Sequence, residues 1–395
     1  MHPEQVKSIK IIFSDLVDEV VVKVNGTPFR EGTQKKFKTL TDKLKPNNKT
    51  PPPIDEQTAI WAFFDAVTSF SLKRNLFTPL LDDNIKLTKD EKLELIDYLF
   101  GYFTALPHEY KVAIPLHNLD IPTFNGDPNK IEVLDLGIGL GHDESPFNLI
   151  TNRYLRLSGS GYLTHKNNTH EIKPYLQDFN VFLYVFMTNR IFTTKSKLLI
   201  HKYRFEETLP GRTKSIPILT AKIKNKSHDQ ITEDYVLPLQ ISNFLDDLKI
   251  NENKKHLSIE KLSFINSLIS DSSESAMYIK SAMDWYMNSQ MVMDETMSFI
   301  QICMGLEALL GDKREQGVGI TQTLSDRCSY LIGKGMDDRE EIKKQLKKAY
   351  ELRSAIVHGL KNRINASEKE YVNNATLFLR RAIKVECQYL VYYNE

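Results

Sequence analysis

A long amphipathic segment near the C-terminus ends in the stretch Tyr350-Glu351-Leu352-Arg353-Ser354-Ala355-Ile356-Val357-His358-Gly359. From Asp338 onward, apolar residues recur at steps of three and four, which predicts one buried helix face. These residues are Ile342, Leu346, Ala349, Leu352 and Ile356. Gly359 is expected to end the helix, because glycine readily adopts the left-handed backbone of a helix C-terminus. The stretch therefore predicts a helix over residues 338–358 within an all-helical domain.

A second face of this helix is expected opposite Leu352 and Ile356. It carries Tyr350, Arg353, Ser354, Val357 and His358. Arginine is a permanent cation whose planar fork matches phosphate oxygens, and histidine exchanges a proton near neutral pH, so this face favours phosphodiester cleavage. A structural interpretation stays open, in which Arg353 is half of a salt bridge and His358 contacts carbonyls at the helix end.

Arg353, four intervening residues and His358, with Ser354 and Gly359 directly after them, resemble the R-x4-6-H signature of the HEPN superfamily. Residues 299–311 and 325–333 precede this signature in an order that resembles the ApeA-like branch of that superfamily. The resemblance covers roughly the last third of the chain. It implies a helical bundle that cuts RNA, with Arg353, His358 and Ser354 in catalytic roles.

The same resemblance implies partners and a biological setting. Two protomers are expected to pair through their motif helices, and a semi-apolar face with Tyr350 and Val357 independently favours a homodimer. The implied role is a bacterial antiphage or toxin-type defence effector, whose N-terminal region senses a phage-derived trigger or binds an antitoxin. A non-catalytic module that binds RNA or a protein partner is the alternative on the same bundle.

Glu307 is the one acidic residue on an otherwise apolar helix face. A buried carboxylate needs a partner, and Arg327 and Arg353 are the candidates. An orienting ion pair is favoured over general-base catalysis, so Glu307, Arg327 and Tyr350 are assigned supporting roles. No cluster with metal-ligand spacing accompanies Arg353, so the expected reaction is metal-independent, needs no cofactor and uses the RNA 2′-hydroxyl as the nucleophile.

Composition limits the class of protein. The chain has 395 residues, 41% hydrophobic and 26% charged, and a net charge of +1, so any RNA site must be a local patch. Three cysteines without C-x-x-C spacing favour buried thiols in a reducing compartment and argue against zinc. The longest apolar run, residues 181–187, is too short to span a membrane, and no signal-peptide pattern is present, so a cytoplasmic protein is expected.

The predicted fold class is α+β, with a mixed α/β region over residues 1–125, a strand-rich region over 126–270 and a HEPN-like helical bundle over 271–395. In the first region, β-branched residues over 8–24 predict strands, and Thr88-x-x-Glu91 predicts a capped helix. In the bundle, five helices are predicted, the last opened by a capping box of Ser367 and Glu370.

The middle region contains a competing motif and several expected strands. Residues 131–141, Ile-Glu-Val-Leu-Asp-Leu-Gly-Ile-Gly-Leu-Gly, resemble the glycine loop of S-adenosylmethionine-dependent methyltransferases. No amphipathic helix follows it, so a glycine-bearing turn between strands is favoured. Strands are also predicted at residues 154–157, 196–203 and 216–223, with a turn at Gly159-Ser160-Gly161.

Overall fold

The structure, a computed structural model, describes residues 2–22, 31–44, 54–76, 86–116, 119–126, 130–135, 153–163, 172–195, 219–225, 233–311 and 320–390. The protein is mixed α+β, which confirms the predicted fold class. The chain divides into two compact units, and both are discontinuous. Unit 1 comprises residues 1–112, 158–173 and 222–235, and unit 2 comprises residues 113–157, 174–221 and 236–395.

Unit 1 contains four described helices. They are α1 (Pro3–Leu16), α2 (Glu31–Leu44), α3 (Glu56–Arg74) and α4 (Lys89–Thr104). Their core is aromatic, with Phe13, Phe37 and Phe63 fully buried. The predicted capping box opens α4, because the Thr88 backbone N–H donates to Glu91 Oε2 at 2.7 Å and the Glu91 N–H donates to Thr88 Oγ1 at 3.3 Å.

The prediction of strands over residues 8–24 is wrong for residues 8–22, and residues 23–24 lie outside the described residues. This segment forms α1, which continues as a π-helical turn over Val17–Val22. Ile9, Phe13 and Leu16 lie at helical steps and are fully buried. The three-to-four-residue apolar period therefore outweighs the preference of β-branched residues for strands, because burial of one helix face contributes more than local propensity. Asn25-Gly26, the expected hairpin turn, lies outside the described residues.

Eight strands lie within the described residues. They are β1 (His108–Pro115), β2 (Phe124–Asn125), β3 (Ile131–Asp135), β4 (Arg153–Gly161), β5 (Phe192–Thr194), β6 (Thr220–Asn225), β7 (Glu233–Val236) and β8 (Leu248–Ile250). Six of them form one sheet in the order β2-β3-β4-β1-β6-β7, and β5 pairs with β8. Strand β3 is antiparallel to both neighbours, with Val133 opposite Phe124 on β2 and Leu155 on β4.

The predicted strands of the middle region have mixed outcomes. Strand β4 contains residues 154–157 as predicted, but it continues through Gly159-Ser160-Gly161, so the predicted turn there is wrong. Glycine in the interior of a strand weakens the strand but does not prevent it from forming. Strand β6 includes the end of the run predicted at 216–223, and residues 196–203 lie outside the described residues.

Within its described residues, the middle region also contains three α-helices that the sequence patterns did not predict. They are α5 (Lys173–Thr188), α6 (Leu239–Asp247) and α7 (Ser258–Ser270). Helix α5 contains the longest apolar run, and every residue from Phe179 to Phe186 is buried. A helix buried on all sides shows no amphipathic period, so its pattern resembles a strand. None of the described helices has both the length and the apolarity that crossing a membrane requires.

Five α-helices form the described C-terminal part of unit 2, as predicted. They are α8 (Glu274–Met291), α9 (Glu295–Leu310), α10 (Ile320–Ile332), α11 (Met336–Val357) and α12 (Lys369–Gln388). The predicted capping box of Ser367 and Glu370 is wrong. Asn365 and Glu368 form the box two residues earlier, around a 3₁₀ turn that leads into α12.

Close packing of α9 depends on one glycine. A Cβ atom at Gly305 would lie 2.7 Å from Leu379 Cδ2 on α12 and 3.3 Å from Trp285 Cβ on α8. The three cysteines are unpaired and buried, as predicted. Burial raises the pKa of the Cys328 and Cys387 thiols to about 12, so these thiols stay protonated and act as small apolar side chains.

Candidate functional site

The site is built on the C-terminal end of α11. The predicted buried face is confirmed at Ile342, Leu346, Ala349 and Leu352, and Ile356 is half-buried. Gly359 has a φ of 72°, and the Leu360 backbone N–H donates to the Ala355 carbonyl oxygen at 2.9 Å. This left-handed glycine ends the helix as the sequence predicts.

Tyr350 does not lie on the outer face with the arginine and the histidine. Its side chain is only 4% exposed, and its hydroxyl donates to the Cys303 carbonyl oxygen at 3.3 Å. Burial raises the pKa of the Tyr350 phenol well above its usual range. The prediction fails here because α11 packs against α9, α10 and α12, which makes its buried face wider than a two-helix contact would.

Arg353 and Glu307 form an ion pair one turn further along both helices. Arg353 Nη2 donates to Glu307 Oε2 at 3.3 Å. Arg353 Nε lies 2.9 Å from Glu307 Oε1 without the alignment of a hydrogen bond. The two side chains are 26% and 19% exposed, so the pair is half-buried at the edge of the bundle. Of the two arginines proposed as partners for Glu307, the structure places Arg353 in contact.

The pKa of the Glu307 carboxyl is subject to opposing effects. Burial raises the pKa of its carboxyl, whereas Arg353 and the nearby Tyr350 hydroxyl act to lower it. These two residues therefore oppose the effect of burial on the Glu307 carboxyl. In turn, the carboxylate fixes the direction of the guanidinium, so the cluster of Glu307, Tyr350 and Arg353 positions one cation at the end of α11.

Arg327 has a different role from the one that the sequence analysis proposed. Its Nη1 donates to the Leu310 carbonyl oxygen at 3.1 Å. Leu310 is the last residue of α9, where carbonyl oxygens have no partner within the helix. Arg327 thus ties α10 to the end of α9, and the favourable charge on a helix C-terminus accounts for an arginine at this position.

Ser354 and His358 lie on the exposed side of the helix end. The His358 backbone N–H donates to the Ser354 carbonyl oxygen at 3.0 Å, which continues the helical pattern. With the described residues, neither side chain makes a hydrogen bond or an ion pair. Two apolar side chains accompany them, Val357 at 54% and Leu360 at 83% exposure. The predicted face is therefore divided into a buried inner half and an exposed outer half.

This arrangement has the parts for acid–base chemistry on an anionic group. Arg353 Nη1 has no partner among the described residues, so one edge of the oriented guanidinium is available to an oxyanion. The exposed imidazole of His358 can accept or donate a proton. Over the described ranges, no group of three or more His, Cys, Asp or Glu side chains is arranged to hold a metal ion.

Unit 2 also contains a second group of half-buried charged residues, which the sequence patterns did not predict. Asp178 on α5 faces Lys280 and Asp284 on α8, and burial raises the pKa of Asp178 to about 7. Asn180 Nδ2 donates to Asp284 Oδ1 at 2.7 Å and to Asn288 Oδ1 at 3.2 Å. An acidic residue beside the longest apolar run was the available signal for this group.

The glycine loop of the competing motif, residues 137–141, lies outside the described residues. Strand β3, which leads into it, is antiparallel to both of its neighbours. A nucleotide-binding glycine loop of this kind follows a strand of a parallel sheet and opens a helix. The described part of the motif therefore does not match that arrangement.

No protein-family model, no curated protein and no solved structure matches the chain.

Proposed function

We propose that the protein is a metal-independent endoribonuclease that cleaves RNA at the C-terminal end of α11. The observation that carries the proposal is the half-buried Glu307–Arg353 ion pair, in which Arg353 Nε lies 2.9 Å from Glu307 Oε1. This pair holds a guanidinium on the same helix end as the exposed imidazole of His358. The resemblance of this segment to the HEPN superfamily supports the same function.

The proposed reaction is an internal transesterification. A base removes the proton from the RNA 2′-hydroxyl, whose oxygen attacks the adjacent phosphorus and forms a 2′,3′-cyclic phosphate. The bond from phosphorus to the 5′-oxygen breaks, and that oxygen takes up a proton. His358 moves one of these two protons, while Arg353 stabilises the negative charge that grows on the phosphoryl oxygens. Ser354 is close enough in the helix to orient either group.

We propose further that a second copy of the chain completes the cleft. Val357 and Leu360 expose apolar surface on either side of His358. A twofold contact at this end of α11 would cover that surface and bring two His358 side chains to one RNA strand. Light scattering at micromolar concentration should show a dimer that Leu360→Asp converts to a monomer. A monomeric wild type would contradict this part of the proposal.

The biological setting is proposed on the resemblance alone. A defence effector needs to be silent until infection, so we assign the sensing of a phage-derived trigger, or the binding of an antitoxin, to the N-terminal region. Activity in the absence of a trigger is therefore expected to be low. RNA cleavage is measured at high protein concentration for this reason.

A non-catalytic RNA- or partner-binding module is the second candidate function. The same ion pair favours this second function. Glu307 contacts two of the three guanidinium nitrogens of Arg353 and neutralises much of the guanidinium charge. In this alternative, Arg353 stabilises the bundle and the exposed end of α11 binds without cutting.

The two functions are separated by cleavage of a labelled RNA oligonucleotide in the presence of EDTA. The ribonuclease proposal expects slow cleavage by the wild type and a loss of about 100-fold or more in His358→Ala. His256→Ala, which removes another exposed histidine of unit 2, is the matched control and should cut like the wild type. RNA binding without cleavage by the wild type, or equal cleavage by His358→Ala, would favour the alternative.

A further inference from the structure

A cavity of about 300 Å³ lies among four helices of unit 2, on elements other than α11. Helices α5, α7, α8 and α12 line it, through residues that include Tyr184, Phe264, Met283, Leu377, Arg380 and Lys384. This volume is at the lower end of the range for small-molecule sites in proteins. The proposed ribonuclease activity makes no use of this cavity.

The inner wall of the cavity is apolar and partly aromatic. Tyr184 and Met283 are buried, and Phe264 is half-buried beside them. At the mouth, Leu377 is 47% exposed, which is high for a leucine within a helix of a packed bundle. Such a wall favours a flat or aliphatic body over a strongly hydrated ion, because an ion would lose water without finding partners there.

The charge of the lining is entirely positive. Lys261, Arg380, Arg381 and Lys384 contribute to it, and no lining residue is acidic. Two of these cations already have partners, since Lys261 Nζ lies 2.7 Å from Glu260 Oε1 and Arg381 Nη2 donates to the Ile332 carbonyl oxygen at 2.6 Å. These two are satisfied by the protein itself.

Arg380 and Lys384 differ from the other two cations. Both side chains are exposed, and neither makes a hydrogen bond or an ion pair with a described residue. They lie one turn apart on α12, where two like charges repel each other. An anion between them would remove that repulsion, and it would lie directly beside the apolar wall.

We propose that this cavity binds a phosphate monoester with an apolar body, of about the size of a mononucleotide. A phosphate monoester carries close to two negative charges near neutral pH, which matches two cations one turn apart better than a carboxylate does. The guanidinium of Arg380 can bind two phosphate oxygens at once, while Lys384 contributes a point charge. The ring or chain of the ligand then packs against Phe264, Tyr184 and Leu377.

Calorimetric titration of the full chain tests the proposal with four named probes. They are adenosine 5′-monophosphate, dodecyl phosphate, adenosine and dodecanoate. At least one of the two phosphates should bind with a dissociation constant below about 1 mM, and adenosine and dodecanoate should bind at least about tenfold more weakly than the phosphate that shares their body. The phosphate that binds more tightly identifies the ligand body as a nucleoside or an alkyl chain.

Three variants test whether the phosphate binds in this cavity. Arg380→Ala and Lys384→Ala should each weaken binding of the phosphate about tenfold, because each removes a charge-assisted contact. Leu377→Asp places an anion at the mouth and should weaken it further. All three positions are exposed, so folding should persist, and a melting curve checks this. Lys254→Ala, an exposed lysine in the 3₁₀ turn before α7, is the control and should bind like the wild type.

Several outcomes would overturn the proposal. They are no binding of either phosphate with a dissociation constant below about 1 mM, equal binding of adenosine and its monophosphate, tighter binding of dodecanoate than of dodecyl phosphate, or equal weakening by Lys254→Ala. None of these results depends on RNA cleavage, so the ribonuclease proposal can fail while this one stands.

Discussion

Glu307 and Asp178 are half-buried carboxylates of unit 2 that differ in how close their cations lie. Glu307 has Arg353 in contact, with Nε of the arginine 2.9 Å from Oε1 of the glutamate. Asp178 interacts with Lys280 and Lys130 through space, has Asp284 as a like-charged neighbour, and has no ion pair with a described residue. Burial raises the pKa of both carboxyls, and for Asp178 it reaches about 7.

Burial alone therefore does not decide the role of a carboxylate, because the distance to the nearest cation also matters. A guanidinium at contact distance opposes the effect of burial on the pKa of Glu307, and the more distant lysines act in the same direction on Asp178. We therefore assign to Glu307 the role of orienting the guanidinium of Arg353. Asp178 is a group that takes up and releases a proton near neutral pH.

The largest expected effect follows from removing the cation of the first pair. Arg353→Ala should lower RNA cleavage by about 100-fold or more, because charge on the phosphoryl oxygens loses its stabilising partner. It should also raise the pKa of Glu307 further, since Arg353 acts to lower it. Cleavage kinetics measure the first effect, and carboxyl chemical shifts across a pH titration measure the second.

Arg74→Ala is the matched control for this variant. Arg74 forms an ion pair with Glu94 in unit 1, where both side chains are 48% exposed, so its removal deletes an arginine–glutamate pair that is not part of the site. The control should retain cleavage. Loss of cleavage in both variants to the same extent would show that ion pairs in general, and not this guanidinium, limit activity.

Removing the acid of the pair is expected to act on stability more than on chemistry. Glu307→Gln leaves a half-buried guanidinium without its counter-charge, which should cost about 2 kcal/mol of unfolding free energy. Denaturant melting measures this loss. Cleavage should fall less than in Arg353→Ala, because the cation is still present. Complete loss of activity with an unchanged melting curve would instead make Glu307 a catalytic group.

The raised pKa of Asp178 predicts that the free energy of unfolding falls as the pH rises. The folded state holds a proton on Asp178 up to about pH 7, whereas the unfolded chain releases it near pH 4. Between these values the folded state binds more protons, so this group's contribution to stability is full below about pH 4 and is lost as the pH rises to about 7.

Asp178→Asn should remove this dependence. Relative to the wild type, the variant is expected to gain on the order of 2 kcal/mol in unfolding free energy at pH 8 compared with pH 5. The variant also removes a negative neighbour of Lys280, and this loss reduces the gain in unfolding free energy. Urea melts at the two pH values measure the difference. Parallel stability profiles of the two proteins would show that Asp178 is ionised throughout.

Much of the C-terminal helical region could be predicted because its signals are local. Ser273 and Asp294 cap their helices, Gly359 ends α11, and apolar residues follow a helical period between them. Glu307 was recognisable as the one acid on an apolar face. Its partner could be narrowed to two arginines, but the choice between them needed the packing of α11 on α9.

The remaining features depend on contacts between distant residues. Tyr350 was placed on the wrong side, since its burial needs three neighbouring helices that a single-helix pattern does not contain. The group around Asp178 joins α5 to a helix about a hundred residues later, as the 104-residue separation of Asn180 from Asp284 shows. For α1, a local preference of β-branched residues competed with the helical period and misled the prediction.

The chemical ends of the RNA fragments test the central claim most directly. A labelled oligonucleotide with a single preferred cut should give a 2′,3′-cyclic phosphate, or the 3′-phosphate formed from it, and a 5′-hydroxyl in the presence of EDTA. Mass spectrometry identifies these ends, and one 2′-deoxy sugar at the cut should abolish cleavage there. Fragments with a 5′-phosphate, a requirement for added Mg²⁺, or undiminished cleavage at the 2′-deoxy position would contradict the mechanism assigned to Arg353 and His358.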